Sequence, residues 1–182
     1  LNAEGYREIV VTGIEISSYG FDLPGKPSPT AMISAACAAA PNARIRLGSL
    51  EPRTVTDDFC RELSQHKNLC PHFHLSLQSG CDKTLKAMNR KYLTERYTES
   101  CRLLREYFPG CAITTDLIVG FPGETEEDFA KSLDFVKKCA FAQVHIFPYS
   151  SRPGTRAASM PGQLTRAVKQ QRAEKAAEVC SA

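Results

Sequence analysis

Along the chain, short apolar runs of strand length alternate with longer stretches whose apolar positions recur at helical spacing. Arg7 to Gly13 reads as a first strand. Pro24, Pro27 and Pro29 then mark a loop, and Ser28-Pro29 opens an alanine-rich helix that runs to about Ala40. Arg44 to Gly48 is a second strand, followed by a helix over Asp57 to His66. His72 to Leu77 alternates polar and apolar as a third strand, with helices from Asp82 to Met88 and from Thr94 to Tyr107 behind it. Cys111 to Val119 is a fourth strand leading to a helix that ends near Lys138. Gln143 to Phe147 is a fifth, and Thr165 to Cys180 a final helix. No hairpin dipeptide joins any two strands, so the pattern predicts βα units with parallel strands and right-handed crossovers.

The most informative stretch is Asp116-Leu-Ile-Val-Gly-Phe-Pro-Gly-Glu-Thr-Glu-Glu-Asp128. Its apolar strand enters a turn where Gly120, Pro122 and Gly123 let backbone approach a ligand, and Thr125 with Asp128 caps the helix beyond. Polar, glycine-containing segments follow the other strands too: Thr12 to Gly20, Gly48 to Arg53, Gln78 to Asp82 and Tyr149 to Thr155. The carboxyl ends of parallel strands form the active face of barrels and open α/β sheets, so these loops are expected to converge on one pocket. A complete eightfold barrel takes about 250 residues. The 182 residues here predict α/β architecture of an incomplete, TIM-like βα barrel.

Composition narrows the class only a little. With 42% hydrophobic and 24% charged residues the chain is ordinary globular material, and a formal net charge of +3 permits a nucleic-acid partner without demanding one. No apolar run approaches the roughly 18 residues of a membrane span, and no signal segment opens the chain, which suggests a cytoplasmic protein. Beginning at Leu1, the sequence reads as a piece of something longer. Its eight cysteines (37, 60, 70, 81, 101, 111, 139 and 180) have no metal-knuckle spacing, and are expected to be small buried apolar residues, with Cys81 alone exposed in a ligand-facing turn. The four histidines, His66, His72, His74 and His145, lack metal spacing and are assigned structural roles.

Three motifs carry a resemblance: His74 to Tyr92 (HLSLQSGCDKTLKAMNRKY), Thr115 to Glu124 (TDLIVGFPGE) and Tyr149 to Ala157 (YSSRPGTRA). Together they resemble the radical S-adenosylmethionine methylthiotransferases that modify tRNA next to the anticodon. Within that family, Arg44-Ile-Arg-Leu-Gly-Ser-Leu-Glu-Pro52 looks more like the branch acting on N6-threonylcarbamoyladenosine than the isopentenyladenosine branch. A sister branch modifies an aspartate of a ribosomal protein. The resemblance implies S-adenosylmethionine as cofactor, 4Fe-4S clusters in the full-length protein, the tRNA anticodon stem-loop as partner and a reductant protein for electron delivery. The family's C-x3-C-x2-C cluster motif does not occur in residues 1–182. The expectation is therefore a single radical S-adenosylmethionine core lacking its first strand and cluster loop, without the family's N-terminal and C-terminal RNA-binding domains, holding no catalytic or metal-binding residue and inactive alone.

Cofactor contacts are expected from Gly13, Glu15, Ser49, Glu51, Gln78, Arg90, Asp116, Ile118, Val119, Gly120, Phe121 and Tyr149. Gly13 would open backbone carbonyls to an ammonium. Gln78 offers a donor and an acceptor to a ribose hydroxyl or carboxylate, although a strand-end glutamine also bonds its own loop. Arg90 would pair with a carboxylate or phosphate, or sit solvated at a helix end. Glu15 is equally well an exposed side chain. Asp116 interrupts an apolar strand and needs a partner. The backbone of 118–120, the Phe121 ring and Tyr149 would flank an adenine. Arg90, Lys91, Arg152 and Arg156, with Tyr92 for stacking and Arg96 nearby, would meet RNA. Arg166, Lys169, Arg172 and Lys175 read as a solvated helix face. A noncatalytic RNA-binding barrel module stands as the alternative of another class, whereas an aldol- or phosphate-handling barrel is disfavoured because no lysine ends a strand and no phosphate loop appears.

Overall fold

The computed structural model describes residues 1–13 and 16–181; the expectation for Glu15 falls outside them. The chain forms two compact units, one of Leu1–Ser76 with Glu99–Ile113, the other of Leu77–Thr98 with Thr114–Ala182. Every strand pairing described is parallel.

In the first unit, β1 (Glu8–Val11) pairs with β2 (Arg44–Leu47) in the register Glu8↔Arg44 to Val11↔Leu47. The chain between them returns through α1 (Pro29–Ala39). There Ser28 Oγ accepts from the Ala31 N–H at 3.1 Å and Pro29 supplies the fixed φ of the first turn. The predicted second strand does not stop at Gly48. It breaks there and resumes as β3 (Ser49–Leu50), which changes partner and pairs with β4 (His72–Leu75). Gly48 is required because a Cβ at this position would stand 2.7 Å from Thr12 Oγ1. Helix α2 (Asp57–Leu63) starts on the Thr56 cap, with Asp57 and Asp58 favourably placed in its first turn, and ends three residues before the expected His66. Ile45, Leu47, Leu50, Phe59, Leu63, Phe73 and Leu75 are all buried, with Phe73 tilted against Phe108 at 4.8 Å between ring centres. Each such side chain contributes roughly 1.5–3 kcal/mol by leaving water.

In the second unit, β5 (Ala112–Val119, of which Ala112 and Ile113 belong to the first unit) pairs with β6 (Gln143–Pro148) from Thr114↔Gln143 to Val119↔Pro148. Helix α3 (Asp82–Ala87) precedes α4 (Thr94–Tyr107), whose first residues belong to this unit and the rest to the other. Tyr97 of α4 is buried between Phe135 and Phe141, and its hydroxyl lies 3.1 Å from Thr115 Oγ1. Between the strands runs α5 (Glu126–Cys139), which opens on the predicted capping box: Asp128 N–H donates to Thr125 Oγ1 and Thr125 N–H to Asp128 Oδ2, both at 3.1 Å. Helix α6 (Arg166–Ser181) packs on β6 and α5. Among the described residues no helix is long and apolar enough to cross a membrane.

Candidate functional site

The turn after β5 is held from behind. Gly120 takes φ +74°, and a Cβ on it would press on Lys169 Cγ of α6 at 2.6 Å. Its N–H donates to Glu124 Oε2 at 2.7 Å, and the Glu124 N–H closes the turn on the Phe121 carbonyl at 3.0 Å. The Glu124 carboxylate is buried, where Arg172 Nη1 reaches the same Oε2 at 2.7 Å and the Glu124 carbonyl at 3.0 Å. Arg172 Nη2 donates to Glu126 at 3.2 Å. Burial pushes the Glu124 carboxyl above the usual carboxylate range, opposed by the bonds from Gly120 and Arg172. Only 6% exposed, Arg172 is not the solvated cation expected from the sequence: a partner 48 positions away draws it inward.

In front of this turn lies a cavity of about 270 Å³ walled by Met88, Arg90, Ile118, Phe121, Tyr149 and Met160, with Arg156 also lining it. Phe121 meets Tyr149 edge to face at 5.3 Å, and Lys169 Nζ stands 4.9 Å from the centre of the Tyr149 ring. Among the described residues the buried Tyr149 hydroxyl has no hydrogen-bond partner. A buried hydroxyl left unsatisfied is costly, and its position in a mostly apolar slot suits a ligand that brings the missing partner.

Gln78 adopts the left-handed region at φ +68°, which is strained for a non-glycine residue by about 1–3 kcal/mol. Its N–H donates to the Asp116 carbonyl and its carbonyl accepts from the Ile118 N–H, each at 2.9 Å, so it bridges onto β5 beside Leu117. The strand expected to run to Leu77 and close at Gln78 ends at Leu75.

Of the expected cofactor residues, Arg90, Ile118, Phe121 and Tyr149 come together around the slot. The backbone of 118–120 is largely committed elsewhere: Ile118 N–H to Gln78, Val119 carbonyl from Tyr149 N–H at 2.8 Å, Gly120 N–H to Glu124. This stretch therefore offers a ligand the Ile118 side chain and Phe121 ring rather than backbone N–H groups, and the Val119 side chain is fully buried. Asp116 is half-buried one strand position from the Gln78 bridge. Gly13, Ser49 and Glu51 belong to the other unit. Gly13 is exposed, with open space for 4 Å around the place a Cβ would take, Ser49 is exposed on β3, and the Glu51 carboxylate accepts from Arg53 at 3.0 Å.

Among the residues expected to meet RNA, Arg90, Lys91, Arg152 and Arg156 are exposed. Tyr92 is not available. It is 3% exposed and its hydroxyl donates to the Leu77 carbonyl at 3.3 Å, because an aromatic ring with one satisfied polar tip is as well suited to a core as to a base. Cys81 is likewise buried rather than exposed, with its N–H on Ser79 Oγ and its Sγ 3.6 Å from Asp128 Oδ1. Burial pushes the Asp128 carboxyl up, but the Lys83 ammonium at 2.6 Å and the Thr125 cap outweigh it and bring the group down to about 2. All eight cysteines are free thiols, and the described residues contain no group of three or more His, Cys, Asp or Glu placed to hold a metal ion.

The model of the radical SAM superfamily matches residues 1–136. The chain belongs to that superfamily. Its α/β fold class, an incomplete TIM-like βα barrel, is shared with solved structures: coproporphyrinogen III oxidase from Escherichia coli (TM-score 0.70, 20% identity, 87% of this chain and 38% of that one) and a radical S-adenosylmethionine methyltransferase from Kitasatospora setae (0.66, 19%, 87% and 31%). Among curated proteins it is similar to the tRNA-2-methylthio-N(6)-dimethylallyladenosine synthases of Mycobacterium avium (43% identity over 98% of this chain and 26% of the relative) and Mycobacterium bovis (44% over 94% and 35%). The chain thus spans about a quarter to a third of these relatives' length.

Those names carry dimethylallyladenosine, not the threonylcarbamoyl nucleoside that Arg44 to Pro52 suggested. In the structure that segment is packed and paired. Ile45, Leu47, Leu50 and Pro52 are buried, Arg46 bonds Glu8 at 3.1 Å, and Glu51 bonds Arg53. These side chains serve packing and strand pairing.

S-adenosylmethionine fits the slot in chemical kind: flat apolar walls for an adenine and an orphaned phenol for one of its polar atoms. A 4Fe-4S cluster does not fit the described residues, which bring no three thiols together.

Proposed function

We propose that this chain is part of a radical S-adenosylmethionine tRNA methylthiotransferase acting on adenosine beside the anticodon that bears an N6-dimethylallyl (isopentenyl) group. The slot in front of Gly120 is the observation that carries the reading: Ile118 and Phe121 would flank the adenine, and the buried Tyr149 hydroxyl would find its partner on the adenosyl group. Bound there, S-adenosylmethionine supplies the methyl group and radical chemistry of the superfamily. The residues of this chain hold and orient it. Glu124 and Arg172 fix the Gly120 turn so that Phe121 faces the ligand, and Lys169 steadies the Tyr149 ring. Exposed Arg90 and Arg156 at the slot, with Lys91 and Arg152, suit RNA phosphates. The enzyme is proposed to act in the cytoplasm with electrons from a reductant protein.

A second reading, threonylcarbamoyladenosine as the nucleoside, keeps one observation in its favour, the sequence of Arg44 to Pro52. Mass spectrometry of tRNA nucleosides from a strain lacking the full-length gene separates the two. Loss of 2-methylthio-N6-dimethylallyladenosine, with its unthiolated precursor accumulating, is the expected result. Loss of the threonylcarbamoyl counterpart instead selects the second reading, and intact methylthiolation of both nucleosides refutes the proposal.

A further inference from the structure

Between β6 and α6 the chain forms a strap along the slot, residues 150–163. It is built mostly on its own hydrogen bonds. Thr155 donates to the Arg152 carbonyl from its N–H at 3.2 Å and its hydroxyl at 2.8 Å, and the Gln163 side-chain amide donates to the carbonyls of Ala157 at 2.9 Å and Met160 at 3.1 Å. Among the described residues one hydrogen bond joins the strap to the rest of its unit, from the Gly123 N–H to the Gly162 carbonyl at 2.9 Å. No residue of the strap is fully buried; Ala157, Ala158 and Met160 are half-buried and the others exposed. A segment with so few buried contacts and outward bonds opens at low cost. Yet it supplies Arg156, Ala157 and Met160 to the slot wall, whereas Ile118, Phe121 and Tyr149 come from the end of β5, its turn and the residue after β6. The charges are also set apart. Arg46, Arg53, Arg61, Arg102 and Arg172 each meet a carboxylate. Arg90, which lines the same slot, and Arg152 and Arg156 of the strap have no such partner among the described residues. Arg90 is anchored where α3 ends, its N–H on the Leu85 carbonyl at 2.9 Å beyond Asn89 at φ +59°.

We propose that the strap is closed by RNA: a phosphodiester chain bridging Arg90 and Lys91 to Arg152 and Arg156 holds it shut and so tightens the hold on the adenosyl ligand. The proposal rests on the tRNA reading above and adds the regulation of that site. A ligand in the slot touches both the strap and the strand ends, so it binds the closed arrangement better than the open one. Without an anion, closure sets the guanidinium of Arg156 against that of Arg90 across one cavity of about 270 Å³, and like charges facing across so small a space repel. Phosphates that contact both sides at once remove the repulsion and draw the strap in. A phosphate on Arg90 and Lys91 alone would leave the strap free, so it is the bridging contact that gives RNA different affinities for the two arrangements. The coupling is reciprocal: the adenosyl ligand tightens RNA binding by the same factor.

The test measures the affinity of the full-length protein for S-adenosylhomocysteine by calorimetry, alone and with a saturating anticodon stem-loop RNA that bears N6-dimethylallyladenosine. The RNA should tighten binding by about fivefold or more, the lower end of ordinary coupling between sites. The double variant Arg152→Gln with Arg156→Gln should bring that factor close to one without lowering the affinity measured in the absence of RNA. Arg152→Lys with Arg156→Lys keeps both charges and should hold the factor clearly above one, which guards against a folding defect being read as lost coupling. Added salt screens the repulsion, so it should strengthen S-adenosylhomocysteine binding to the RNA-free wild type and not to the glutamine variant. RNA binding without coupling in the wild type overturns the strap while leaving the tRNA reading in place, and so does full coupling in the glutamine variant. A loss of S-adenosylhomocysteine affinity in that variant without RNA also overturns it, by assigning the arginines to the cofactor. Failure of the wild type to bind the RNA refutes the tRNA reading, and the strap with it.

Discussion

Replacing Arg172 by Met keeps the aliphatic bulk of the side chain but leaves the Glu124 carboxylate buried, holding only the Gly120 N–H. Breaking a buried pair by removing one partner costs about 3–5 kcal/mol at neutral pH. Glu124→Gln should cost less, about 1.5–3 kcal/mol, since a neutral amide can still accept from Gly120 and Arg172 keeps Glu126 and the Glu124 carbonyl. The double variant should fall well short of the sum of the two, because no unpaired charge remains inside. The pH dependence gives a second check. The Glu124 carboxyl is already raised in the folded protein, chiefly by burial. A raised carboxylate binds more protons folded than unfolded, so stability falls as pH rises from the unfolded value through the folded one. Removing the Arg172 cation raises it further. The deficit of Arg172→Met relative to wild type should therefore be greatest at pH 7 and shrink as pH falls toward about 4, the ordinary glutamate value. Urea unfolding of the 182-residue chain at several pH values measures this. Additive costs for the two single variants, or a deficit that does not change with pH, would refute the reasoning.

Asp128→Asn should cost about 1 kcal/mol at pH 7, mostly through half of the capping box, because Lys83 is largely exposed and its share is screened. The depressed Asp128 carboxyl gives stability present above the unfolded value near ~4 and lost as pH falls through about 2, a slope that acid titration of the Asn variant should lack. Gly120→Ala should destabilise by about 1–2 kcal/mol from the left-handed backbone alone, with Lys169 Cγ in the way besides; an unchanged melting temperature contradicts this. Tyr149→Phe should leave stability unchanged or raise it by up to about 1 kcal/mol, since a buried hydroxyl without a partner is removed, and should weaken S-adenosylhomocysteine binding; a lower melting temperature would show that the hydroxyl is already bonded in the free protein.

What was legible in the sequence was local. Helix α4 was bounded correctly at Thr94 and Tyr107, the Thr125/Asp128 box announced α5, and Ser28-Pro29 announced α1. The slot residues Ile118, Phe121 and Tyr149 were legible because they lie at or just after the carboxyl ends of strands, where parallel sheets place ligands. What was not legible depends on residues far apart in the chain. The need for glycine at 48 comes from Thr12, and the burial of Arg172 from Glu124, neither of which leaves a periodic signal. Tyr92 and Cys81 misled because a tyrosine or cysteine near a glycine turn reads the same whether it faces ligand or core; only their partners, the Leu77 carbonyl and Asp128, decide. The exposure of Phe147 was not legible either, since an apolar strand residue is expected inside.

Whether the slot takes an adenosyl group is tested most directly by the methyl NMR signals of the three methionines in the carbon-13-labelled chain. Met88 and Met160 line the slot, whereas Met32 lies in α1 of the other unit and serves as a control within the same molecule. Titration with S-adenosylhomocysteine should move the Met88 and Met160 methyls by the ring current of the adenine and leave Met32 in place. Movement of Met32 alone, or no movement of any of the three at saturating ligand, would contradict the assignment of this slot to the cofactor.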